Sequence, residues 1–205
     1  MATQPIVPPG GEFSVPATSS SPLLAFRCAP AIKPYLPEDA FSPAGILIDA
    51  TVTHSQVAGA VPISLPGHGG AGKLEVSVSV NGRRVTSGQV PVNATKVELP
   101  FSLVGFRPQM EAFEVSCSAT YTGVKGQVQK FSASTNLSFL PNPPNGRSVT
   151  KMDLRTGALL AKPATGAGGD YETVFPIGFY TNFGGYLASN LSLLDDIKAD
   201  GCVIH

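Results

Sequence analysis

The residues with most chemical promise are a glycine-rich run, three histidines, a pair of acids and three cysteines. Gly67-His68-Gly69-Gly70-Ala71-Gly72-Lys73 approaches the loop that cradles phosphate in nucleotide-binding proteins. That loop presents backbone N–H groups to phosphate, needs Ser or Thr after the lysine to hold magnesium, and opens a helix. Here Leu74 follows the lysine and a strand pattern follows Leu74, so the run reads as a glycine-rich connection between strands. Gly166-Ala167-Gly168-Gly169 lacks the third glycine and the helix of a dinucleotide fingerprint and reads as linker. His54, His68 and His205 are far apart in sequence. A metal needs three or four converging ligands, so neither metal nor cofactor is predicted. Asp195-Asp196 sits on a helical pattern, where adjacent residues point about 100° apart and cannot flank one bond. There is no Gly-x-Ser-x-Gly elbow for a hydrolase serine.

Cys28, Cys117 and Cys202 include no Cys-x-x-Cys pair, which removes the usual signature of zinc ribbons and thioredoxin-like sites. Cys117 lies on the apolar face of a strand pattern. A bridge to Cys28 would tie two apolar segments together; the other reading is two buried free thiols. Asn93-Ala94-Thr95, Asn136-Leu137-Ser138 and Asn190-Leu191-Ser192 are N-glycosylation sequons, usable only on a secretory route. The opening residues MATQPIVPPGGEFSVPATSSS have neither the basic nor the apolar region of a secretion signal.

Bulk properties limit the function classes. The net charge is zero with 14 basic and 14 acidic residues, and no basic cluster stands out. Phosphate backbones are held by clustered Lys and Arg, so nucleic acid is not an expected partner. No apolar stretch approaches the roughly 20 residues that span a bilayer, so no membrane partner is expected either. Charged residues are only 14%, while 22 glycines and 19 prolines favour a turn-rich chain.

The elements that would position any site are mostly strands. Residues 1–22 are rich in Pro, Gly, Ser and Thr and predict a disordered leader. Residues 23–145 predict a β-sandwich. Ile46, Ile48, Ala50 and Val52 alternate with Leu47, Asp49 and Thr51; Leu74, Val76, Val78 and Val80 alternate with polar neighbours, and so do Phe113, Val115, Cys117, Ala119 and Tyr121. Asn81-Gly82 between two such runs signals a hairpin. Segments 96–103 and 127–140 are further strand candidates. Residues 146–173 read as a linker containing a hairpin that turns at Thr156-Gly157. Over 174–205 the pattern changes to an apolar run, Val174 to Tyr180, as in a buried parallel strand. A helix follows, with Leu187, Leu191, Leu194 and Ile197 on one stripe, then Cys202-Val203-Ile204 as a new strand.

This last part resembles the start of the catalytic barrel in fungal secreted proteins of the glycoside hydrolase superfamily. Pro176-Ile177-Gly178-Phe179-Tyr180 is similar to their first strand, and Lys198-Ala199-Asp200-Gly201 to the turn before their second. The aromatic-Asn pair that follows the glycine in the family is replaced here by Cys202. The resemblance implies a mainly β fold: an immunoglobulin-like sandwich, of the glycoside hydrolase family 2 type, followed by the first β-α-β of an incomplete (β/α) barrel. Such barrels build their sites at the C-terminal ends of strands, so Tyr180, Thr181, Asn182 and His205 are the candidate rim residues. The family's carboxylates lie on later strands, so no catalytic residue is assigned. The implied role is an accessory portion of a glycoside-hydrolase-like protein, inactive by itself and extracellular with its parent, with glycan as a partner. The alternative is a non-catalytic carbohydrate-binding or adhesion module. An unclosed barrel fragment also predicts self-association through its open strand edges.

Overall fold

The computed structural model describes residues 15–66, 72–123, 126–144, 147, 149–162, 169–175, 184–185 and 187–199. The chain is mainly β and divides into two compact units, Met1–Asn142 and Pro143–His205.

Among the described residues the first unit carries nine strands. They are β1 (Thr18–Pro30), β2 (Ile32–Lys33), β3 (Ala44–Ser55), β4 (Ala60–Pro62), β5 (Lys73–Val80), β6 (Arg83–Pro91), β7 (Val97–Phe101), β8 (Phe113–Thr122) and β9 (Val128–Leu137). Two antiparallel four-stranded sheets result, in the orders β4-β1-β3-β7 and β6-β5-β8-β9. Alternation decides which side chains go inside. From one sheet Leu24, Phe26, Ile46, Ile48, Ala50, Leu99 and Phe101 are buried; from the other, Leu74, Val76, Val78, Val80, Val115, Ala119, Tyr121, Phe131 and Leu137. All belong to one apolar core, so the two sheets share a single interior, as in a sandwich. Phe106 meets Phe113 edge-on, with ring centroids 5.5 Å apart.

The hairpin expected at Asn81-Gly82 joins β5 to β6. Both residues have positive φ, 46° and 76°, and Val80 pairs with Arg83 across them. That conformation is the two-residue turn whose twist matches the strands, and it requires residues tolerant of φ > 0. The Asn81 side chain reaches further: its Oδ1 accepts from the Glu114 N–H at 3.0 Å, tying the turn to β8.

β1 begins at Thr18, inside the expected leader 1–22. Thr18 pairs with Ser55 after a register shift before Leu23, and the Gln56 N–H donates to the Ala17 carbonyl at 2.8 Å. Backbone ladder bonds make this stretch a strand; its serines carry no apolar period that could announce it. The expected sandwich end at 145 lies close to the unit boundary at Asn142.

The second unit contains β10 (Lys151–Asp153), β11 (Ala158–Ala161) and β12 (Glu172–Val174), paired antiparallel in that order. The predicted turn at Thr156-Gly157 is present; the Gly157 N–H donates to the Asp153 carbonyl at 2.7 Å. A buried parallel strand over 174–180 is predicted, but Val174 is the last residue of the antiparallel β12. It pairs with Leu159, and Phe175 is 85% exposed. The β10–β11 hairpin offers an antiparallel edge, and that edge takes Val174. Residues 176–180 and 200–205 lie outside the described residues. The helix expected from Tyr186 to Ala199 is divided: a 3-10 turn, Leu187–Ser189, precedes α1 (Leu193–Ala199). Asn190 Oδ1 accepts from the Ser192 N–H at 3.1 Å and from its hydroxyl at 2.8 Å. Such a local side-chain turn competes with a continuous helix.

Candidate functional site

The carboxylates of the sandwich act as clamps on the chain. Asp39 Oδ2 accepts from the Leu36 N–H at 2.7 Å, holding the short 3-10 turn Pro37–Phe41. Asp49 Oδ1 accepts from the Lys96 N–H at 2.8 Å. That bond helps fasten the segment which carries the chain from β6 in one sheet to β7 in the other. Glu75 accepts from Gln89 at 2.6 Å across β5 and β6. The Glu98 side chain lies against Gly45, where a Cβ would stand. A glycosidase needs two carboxyl groups flanking a bond, and the contacts of Asp39, Asp49 and Glu75 are with their own backbone and neighbouring strands.

The sequence-level candidates separate in space. Lys73 is the first residue of β5, so a strand follows the glycine run; its ammonium lies 3.4 Å from Gln89 Oε1. Residues 67–71, His68 among them, lie outside the described residues. His54 is exposed and its Nδ1 lies 3.1 Å from the Ser19 carbonyl oxygen. Asp195 and Asp196 are exposed in the first turn of α1. Tyr180, Thr181, Asn182 and His205, the candidate barrel rim, all lie outside the described residues. Asn93, Asn136 and Asn190 are each exposed. Among the described residues no group of three or more His, Cys, Asp or Glu could hold a metal ion, and no helix is long and apolar enough to cross a membrane.

Cys28 on β1 and Cys117 on β8 are joined by a disulfide, with Cα atoms 6.7 Å apart. The bond crosses the core from one sheet to the other. Its two ends are 89 residues apart in sequence, so it closes a long loop of the unfolded chain.

A regular polar surface lies on the outer face of the β6-β5-β8-β9 sheet. Its register sets Ser87, Ser77, Ser118 and Ser132 in one row across the four strands. Arg84, Ser79, Ser116 and Ser134 form the next row. Neighbouring strands stand about 4.8 Å apart, so the hydroxyls form a regular, shallow grid. The aromatic residues of these strands, Phe113, Tyr121 and Phe131, all point into the core. The face can therefore exchange hydrogen bonds with a flat partner but gives no ring on which a sugar could stack. Sequence reading finds this grid only indirectly, as the polar half of the alternation.

A second cluster lies in the other unit. Lys151 is 3% exposed, and its ammonium sits 3.9 Å from the centre of the Tyr171 ring. The Lys162 ammonium is 5.3 Å from the same ring. The Tyr171 hydroxyl donates to the Val149 carbonyl at 2.9 Å, fixing the ring. A desolvated cation over a ring gains about 2 kcal/mol, which helps keep a lysine in so enclosed a place. Nearby, Asp153 and Arg155 form a two-pronged ion pair at 2.9 and 3.1 Å. Burial pulls the Asp153 carboxyl upward, but the Arg155 side chain and backbone bonds, its positive charge and the Thr156 N–H together hold it below its ordinary value.

Compared with protein-family models, with curated proteins and with solved structures, the chain finds no match.

Proposed function

We propose that the chain is the N-terminal, non-catalytic accessory portion of a glycoside-hydrolase-like protein: an immunoglobulin-like sandwich followed by the opening of a (β/α) barrel. The observation that carries the sandwich half of this reading is the strand order. β1-β3-β7 in one sheet and β6-β5-β8-β9 in the other correspond to strands A-B-E and C′-C-F-G of an immunoglobulin-type sandwich. Tyr35 adds to it. Just past β2, its N–H donates to the Ser138 carbonyl and it forms a parallel bridge with Phe139 at the end of β9, so the first strand's continuation reaches the other sheet. The resemblance of Pro176-Ile177-Gly178-Phe179-Tyr180 to a first barrel strand supplies the second half of the reading.

The disulfide supports an oxidising, extracellular setting for the parent protein. Exposed Phe175 and Leu191 in the second unit support association through that unit. The test is hydrolysis of a panel of aryl and oligosaccharide glycosides by the full chain. No turnover is expected. Turnover abolished by replacing one Asp or Glu contradicts the accessory role.

The hydroxyl grid favours a second reading, a non-catalytic carbohydrate-binding or adhesion module. A glycan array probed with the full chain tests this second reading. Binding that is lost in a Ser77→Leu, Ser118→Leu double variant supports this second reading, and no binding counts against it.

A further inference from the structure

The sequons and the disulfide are independent observations that point the same way. A disulfide spanning the core is stable where thiols are oxidised, and that route also carries the enzymes that glycosylate asparagine. We propose that Asn93 and Asn136 are N-glycosylated, an inference that rests on the extracellular part of the proposed function.

Three features single out Asn93. It is exposed, it lies in the crossover between β6 and β7, and its φ of 68° turns the chain there. The Asn93 N–H donates to the Ala50 carbonyl at 2.8 Å and the Ala94 carbonyl accepts from the Ala50 N–H at 2.9 Å. Both ends of that turn are therefore pinned to β3. The side-chain Oδ1 accepts from the Val52 N–H at 3.2 Å. Glycosylation uses the other end of the carboxamide. The nitrogen Nδ2 attacks the anomeric carbon of an N-acetylglucosamine carried on a lipid pyrophosphate. The new C–N bond replaces the C–O bond to pyrophosphate, lipid pyrophosphate leaves, and the nitrogen gives up one proton. The carbonyl oxygen is untouched, so the bond from Val52 survives in the glycosylated protein.

Asn136 is exposed near the end of β9, the last strand of its sheet. Its register partner on β8 is Glu114, and its neighbour along the outer face is Ser134 of the hydroxyl grid. A side chain on the outer face of a sheet points away from the core into solvent, which is the room an oligosaccharide needs. The sequon hydroxyls belong to Thr95, exposed, and Ser138, half-buried.

The test is a peptide map and intact mass of the full chain purified from the cells that make it, before and after peptide-N-glycosidase. Oligosaccharide is expected on both asparagines, with aspartate left at each position after enzymatic release. N93Q and N136Q are each expected to lose one glycan while keeping the disulfide; T95A and S138A reproduce those losses. A disulfide-bonded chain with unmodified asparagine at either position overturns the assignment there and leaves the extracellular reading standing. Free Cys28 and Cys117 together with unmodified asparagines overturn both.

Discussion

The Tyr35 hydroxyl engages both backbone groups of Gly45: it accepts from the Gly45 N–H at 3.0 Å and donates to the Gly45 carbonyl at 3.2 Å. Tyr35 is 3% exposed. Gly45 stands opposite Pro100 of β7, which has no N–H to offer. Its carbonyl instead receives the Ala31 N–H at 2.8 Å and the tyrosine hydroxyl. Removing the hydroxyl leaves a buried N–H without this acceptor, a loss of about 1–3 kcal/mol. Tyr35→Phe is therefore expected to lower the urea midpoint without changing the slope. A midpoint equal to that of the wild type contradicts this role.

The disulfide gives a larger effect. Loop-closure entropy for a crosslink of this span amounts to about 4–5 kcal/mol, and removing native disulfides costs roughly 2–5. Cys117→Ala, and separately Cys28→Ala, should lower unfolding stability by that order, measured by thermal or denaturant unfolding. Reductant should bring the wild type down to nearly the same value and leave the variants unchanged. Equal stability with and without reductant contradicts a structural bond.

Gly88 tests the packing of β6 over β7. A Cβ built on it would stand 2.7 Å from Leu99 Cδ2, and Leu99 is 7% exposed. A buried leucine end has little room to retreat, so Gly88→Ala should destabilise by about 1–3 kcal/mol. Gly88→Ala combined with Leu99→Val should recover part of the loss by removing volume where the methyl arrives. A double variant less stable than either single one argues against this contact.

The Asp153–Arg155 pair predicts a pH dependence local to the β10–β11 turn. The folded carboxyl is held below its ordinary value, so the folded state binds fewer protons than the unfolded state in acid. Its stabilisation is complete above the ordinary carboxylate range and is lost as pH falls through the lowered value. The amide protection factor of Gly157, whose N–H meets the Asp153 carbonyl, should fall over that range. Asp153→Asn should show reduced protection at neutral pH and little dependence on acid.

Much of the sandwich is legible in the sequence because its signals are local. The alternation over Leu74–Val80 and Phe113–Tyr121 marks core strands, and Asn81-Gly82 marks the turn from β5 into β6. The apolar placement of Cys117 makes a bridge to Cys28 one of two readings. The start of β1 is hidden because Thr18–Pro22 is held by backbone pairing with no apolar period. The Tyr35–Gly45 clasp is hidden because its partners meet through a bend of the chain. Lys151 and Tyr171 are twenty residues apart and come together only through antiparallel pairing. In the second unit, the apolar run starting at Val174 reads as a buried parallel strand, since a short continuous run carries no polar phase to mark an edge. The structure makes Val174 an edge residue.

As proposed, this sandwich is the accessory portion of a glycoside-hydrolase-like protein. The most direct measurement is the sequence of the transcript beyond the codon for His205. An open frame running into further alternating strands and helices, with Asp or Glu at the ends of later strands, is the predicted result. A stop codon directly after His205 contradicts it.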